Sequence, residues 1–114
     1  MTTINNNVVG AFVKAIKKVN GKNEYVTLYG MIDGIYCSGE SYGLITADLK
    51  DGTWTSCLID PDKTTFLTDE NEIALARKCA QLYCKSEKAS IDWRIKRLVD
   101  RKNEVAKLEK LTMK

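Results

Sequence analysis

Histidine is absent from this chain of 114 residues. Its absence excludes Ser-His-Asp and Cys-His nucleophile pairs, H-E-x-x-H zinc sites and imidazole general-base chemistry, so any catalysis would rest on carboxylates, Lys, Tyr or Cys. Proline occurs once. No apolar run approaches the ~18 residues of a membrane span, and the start, MTTINNN, lacks the basic and apolar regions of a signal peptide. A cytoplasmic, reducing location without a membrane partner is expected. None of the four cysteines, Cys37, Cys57, Cys79 and Cys84, forms a C-x-x-C pair, and the C-x4-C of Cys79 and Cys84 falls on an expected helix, which is poor geometry for two ligands. Neither a metal nor a cofactor is therefore expected.

The residues that are present describe one domain with an ordinary core, 44% hydrophobic and 29% charged. Charge is uneven along it. Residues 1–68 hold six Lys against seven acids, whereas residues 69–114 hold twelve Lys and Arg against eight acids and contain all four arginines. A basic second part points to an anionic partner, and a solvated helix face is the plainer explanation.

From Val8 to Val19 the apolar residues Val8, Val9, Phe12, Val13, Ile16 and Val19 fall in one helical arc, with Asn7 as a cap. A helix is predicted there; the alternative is a hairpin strand, signalled by the β-branched content and by Asn20-Gly21. Residues 25–66 predict short antiparallel strands, because runs such as YGLITADL and WTSCLI are joined by tight Gly turns too short for a parallel crossover. Gly30 and Gly43 suggest bulges or bends in a small curled sheet.

After Phe66 the pattern turns helical. Asp69 and Glu72 suit a capping box, IALARKCAQLYCK is apolar around much of its circumference, and a second helix runs from about Ser90 to Thr112. The joining KSEKAS has neither Gly nor Pro, so one long helix is the alternative to two. The expected fold is thus α+β: a small antiparallel sheet in residues 1–68, with an N-terminal helix or hairpin strand, followed by a helical region over residues 69–114. The apolar face from Ile91 to Val105 extends far from any sheet of this size, which predicts a homodimer or larger assembly.

The segment LIDPDKTT, Leu58 to Thr65, places D-x-D-x-T behind an apolar strand. It resembles the first motif of haloacid-dehalogenase-type phosphatases, and that resemblance would make Asp60 the nucleophile and Asp62 the acid and base. The family also needs a parallel sheet and later motifs, whereas Pro61 separates the acids here, the strands read antiparallel and the remainder is helical. Asp60-Pro61-Asp62 reads instead as a turn. A calcium loop fails because Thr65 and Asn71 stand where Gly and Glu are required. Tyr25, Tyr29, Tyr36, Tyr42 and Trp54 could form a base-stacking platform, but only Lys50 and Lys63 lie between Glu24 and Thr68, so packing is expected.

The most pointed feature is WRIKRLVDR, Trp93 to Arg101. At ~100° per residue Arg94, Arg97 and Arg101 share a narrow arc, with Trp93 at its far edge. Planar guanidiniums beside an indole suit a phosphate with an attached ring. The plainer alternative pairs Arg101 with Glu104 and Arg97 with Asp100. The expected function is non-enzymatic: binding of an anionic, nucleotide-like small ligand on Trp93, Arg94, Arg97 and Arg101, near a self-association interface. The alternative is a phage or mobile-element type inhibitor that binds a host protein or sequesters a nucleotide immune signal. In outline, a sheet followed by helices also looks like phage proteins that sequester nucleotide immune signals. Extended nucleic acid is a less favoured partner.

Overall fold

The computed structural model describes residues 8–19, 21 and 23–113. Asn7, expected as a helix cap, and Asn20 of the hairpin signal lie outside the described residues. The chain divides into two compact units, Met1–Cys84 and Lys85–Lys114.

The first unit holds a five-stranded, wholly antiparallel sheet that does not close into a barrel. Its strands are β1 (Phe12–Lys18), β2 (Tyr25–Tyr36), β3 (Ser41–Ala47), β4 (Trp54–Ile59) and β5 (Thr64–Phe66), in the spatial order β4-β3-β2-β1-β5. Four strands form a meander. The fifth returns through a 3-10 turn, Pro61–Lys63, to pair with the far side of β1.

Residues 12–18 are therefore strand, not the helix that the apolar arc predicted, and the hairpin alternative is the one that forms. Val13 and Ala15 are buried while Ile16 is half exposed, a period of two that no helix face produces. Phe12 to Lys18 bond β2 along their whole length, and Val13 to Ala15 also bond β5, so the middle of β1 is paired on both edges. That non-local pairing overrides the local pattern.

Val13, Ala15, Ile32, Leu44 and Ile59 make the core of one sheet face. The register slips between Ile32 and Gly34, leaving Asp33 as the extra residue of a bulge opposite Leu44 and Gly43. Gly43 thus lies beside the bulge that its presence suggested, and the Tyr36 ring packs over it. Gly30 sits in regular register, and its bare α-carbon lets the Ile45 carbonyl approach.

A single helix, α1 (Glu70–Thr112), replaces the two expected, since nothing in KSEKAS interrupts its hydrogen bonds. Asp69 accepts from the Asn71 amide at 2.8 Å and caps the start. In the first unit the helix buries Ala76, Cys79 and Ala80, small side chains that permit close approach to the sheet face carrying the buried Ile45. Glu72 fixes this packing by accepting from Lys14 Nζ at 3.0 Å and Tyr29 Oη at 3.1 Å. Arg77 lies 5.2 Å from the Phe12 ring centroid. No helix among the described residues is long and apolar enough to cross a membrane.

Candidate anion-binding face

The second unit is the C-terminal part of α1, and its composition explains both its form and its charge. Residues 85–114 contain no Gly or Pro and hold ten Lys and Arg against five acids, a balance of +5. Residues 1–84 balance at −2, with eight cations against ten acids.

The helix brings Trp93, Arg94, Arg97 and Arg101 together as their spacing required, but it does not leave all three arginines alike. Arg94 Nη2 donates to Glu87 Oε1 at 3.0 Å, and Arg94 Nε donates to the Ser90 carbonyl at 3.4 Å. Arg101 Nη1 donates to Glu104 Oε2 at 3.0 Å, the pairing that the plainer reading anticipated. Arg97 does not take Asp100. Its guanidinium stands 4.9 Å from the centroid of the Trp93 ring, one helical turn away, and among the described residues no carboxylate pairs with it. One guanidinium with an indole behind it is therefore open to an external anion, between two that are tethered by exposed pairs of small intrinsic strength.

Glu87 is the partner that sequence reasoning missed. It lies seven residues before Arg94, two helical turns along the same face, a spacing beyond the usual search at three and four. Beside the arginine row Ile91, Ile95, Leu98 and Val105 remain 42% to 69% exposed and form an apolar stripe.

The other candidates resolve differently. Asp60 accepts from the Asp62 amide at 2.9 Å, and the Thr64 hydroxyl donates to the Asp60 carbonyl at 2.8 Å, so the acids shape the 3-10 turn as read from the sequence. The aromatics do not form one platform: Tyr29 is bonded to Glu72, and Tyr42 packs against the core and edge-on to Phe66. All four cysteines are free, and burial pushes the Cys79 thiol above its ordinary value. Among the described residues no group of three His, Cys, Asp or Glu is placed to hold a metal ion. A groove of ≈ 700 Å³ in the first unit, lined by Tyr29, Thr46, Trp54 and Leu75, brings in a single cation, Lys50, which fits a phosphate less well than the helix face.

No protein-family model, curated protein or solved structure matches the chain.

Proposed function

We propose that this protein is a non-enzymatic binding module that holds a phosphate-bearing, nucleotide-like ligand on Trp93, Arg94, Arg97 and Arg101, and that it self-associates along the neighbouring apolar stripe. The observation that carries the reading is Arg97, stacked on Trp93 at 4.9 Å with no carboxylate partner among the described residues. A stacked guanidinium keeps its outward N–H groups for phosphate oxygens, and the indole offers a surface to a base. Arg94 and Arg101 exchange exposed carboxylates for phosphate at small cost, because such pairs contribute only ~0–1 kcal/mol.

Calorimetric titration of the purified protein with ATP and with inorganic tripolyphosphate tests this directly. Both should bind, and ATP should bind more tightly through stacking on Trp93. Absence of binding by either, with the same result after all three arginines are changed to Gln, would leave the row a solvated face.

A second reading is favoured by the exposed stripe of Ile91, Ile95, Leu98 and Val105, which suits a protein partner. In that case the chain acts as a small inhibitor gripping a host protein. Sequestration of a nucleotide immune signal by a phage or mobile-element type inhibitor is the other form of this second reading. A monomer that binds neither probe would favour the inhibitor that grips a host protein.

A further inference from the structure

The positions that bound the apolar stripe show how two copies of the chain would meet. At alternating intervals of three and four the stripe reads Lys88, Ile91, Ile95, Leu98, Lys102, Val105, Glu109 and Thr112, the seam spacing of a two-helix coiled coil. On one flank, a further step around the helix, stand Glu87, Arg94 and Arg101. A parallel, in-register pair would set Lys88 and Lys102 against their own copies and bring Glu87 beside Asp92 of the other helix. An antiparallel pair removes these conflicts, because flanks of the same kind then face each other in reverse order. Glu87, Arg94, Arg101 read against Arg101, Arg94, Glu87 gives opposite charges at both ends.

We infer that the helical unit pairs antiparallel with a second copy of this chain, with Glu87 of each copy facing Arg101 of the other and an anion site on the two-fold axis between them. The inference rests on the phosphate-binding reading above, and it makes the second copy part of that site. At the centre of the pair Arg94 meets Arg94 of the second copy, with an Arg97 just outside each. Within one chain Glu87 pairs with Arg94 at 3.0 Å; turned to Arg101 of the other copy, it leaves the two Arg94 side chains facing each other at the centre, with Asp92 set against its own copy on the opposite flank of the seam. Two or more guanidiniums converging from separate chains form a site that is incomplete in either chain alone, and a phosphate group supplies the missing charge. Ile91, Ile95 and Leu98, which are 42%, 53% and 69% exposed, then close over one another beside it. Binding and association become mutually dependent: the anion strengthens the dimer by the factor by which dimerisation strengthens anion binding.

Sedimentation equilibrium in low-salt, phosphate-free buffer tests the arrangement, with inorganic tripolyphosphate as the probe and sodium chloride at matched ionic strength as the control. Tripolyphosphate should tighten dimerisation about tenfold more than the chloride control, within the usual range of such couplings. Glu87→Arg alone and Arg101→Glu alone should each weaken the dimer about tenfold or more, and the double variant should recover most of the loss, because the swapped charges again meet their opposites. Thr112→Cys should form no disulfide between two Thr112→Cys chains under mild oxidation, whereas a parallel seam would bring the two thiols together. Val105→Asp should weaken the dimer.

Four results would overturn the inference: a double variant no better than its singles, a disulfide at position 112, an effect no larger than that of chloride, or a mass that stays at 12.8 kDa while calorimetry shows tripolyphosphate bound. The last would leave the phosphate-binding reading standing on the single helix. Absence of binding in calorimetry would remove both.

Discussion

Glu72 Oε2 accepts a hydrogen bond from Lys14 Nζ at 3.0 Å, tying the first turn of α1 to the middle of β1 across 58 residues of chain. The contact raises the Lys14 ammonium above its ordinary value, through the hydrogen bond first and the Glu72 charge second. A raised value in the folded state means that the contribution to stability is complete below pH 10.5 and is lost as pH climbs through the folded value. Glu72→Gln should therefore lower the urea midpoint at pH 8, and its deficit relative to the parent should narrow above pH 10.5. A deficit that stays constant through the alkaline range would show that the carboxylate acts by packing and not by charge.

Asp60→Asn and Asp62→Asn should both fold and remain within ~0.5 kcal/mol of the parent in urea denaturation, since Asn at position 60 keeps the oxygen that accepts from the Asp62 amide. Asp60→Ala removes that acceptor and should cost ~1 kcal/mol. Complete loss of ligand binding by either Asn variant, at unchanged stability, would return the pair to a direct role.

Gly30→Ala should be more disruptive than its single methyl suggests. A β-carbon at position 30 would run into the Ile45 carbonyl oxygen, and backbone cannot move aside as a long side chain does. A loss of ~1–3 kcal/mol is expected, measured as a lower urea midpoint. A neutral result would mean that β2 and β3 separate locally without cost.

On the arginine face the single substitutions should rank in an order set by their present partners. Arg97→Lys should weaken ATP binding most, because it removes the one guanidinium that is stacked and without a carboxylate among the described residues. Arg94→Lys and Arg101→Lys should weaken it less, since each already shares its charge with Glu87 or Glu104. Trp93→Ala should cost ~1–3 kcal/mol toward ATP and much less toward tripolyphosphate, which has no base to stack. Equal losses with both ligands would place the indole outside the site.

What the sequence made legible was mostly local. The tight Gly turn between YGLITADL and WTSCLI and the turn at Asp60-Pro61-Asp62 carry their own chemistry, visible as Asp51 accepting from the Thr53 hydroxyl at 2.6 Å and Asp60 capping its turn. β1 was misleading for the opposite reason, because its middle residue Lys14 pairs with Tyr29 and Thr65, 15 and 51 residues away, and its apolar residues happen to fit a helical arc as well. The row of three arginines was evident from spacing, while its division into two tethered groups and a stacked one was not. That division depends on which of several nearby carboxylates each guanidinium reaches, a choice among rotamers with small energy differences. Arg97 had both Asp100 and Trp93 within reach of one turn and took the ring.

The position of β1 between β2 and β5 governs the order in which the sheet can assemble. Its pairing with β2 closes a short hairpin, a local event on the microsecond scale, whereas its other edge waits for three residues, Thr64–Phe66, at the end of the meander. Loop-closure entropy falls on that second event, and a three-residue ladder, the Leu67 amide bonded to the Phe12 carbonyl at 3.1 Å and the edge-on contact of Phe66 with Tyr42 offset it. During synthesis the hairpin and meander can form first, but β1 keeps one bare edge until β5 emerges, and α1 can dock only behind it. The native sheet should open in the reverse sequence, with amides at the β1–β5 edge exchanging with solvent before those shared with β2. A strand that forms earliest on one side and closes latest on the other makes completion of the first unit a single late step, taken as the chain enters the helix.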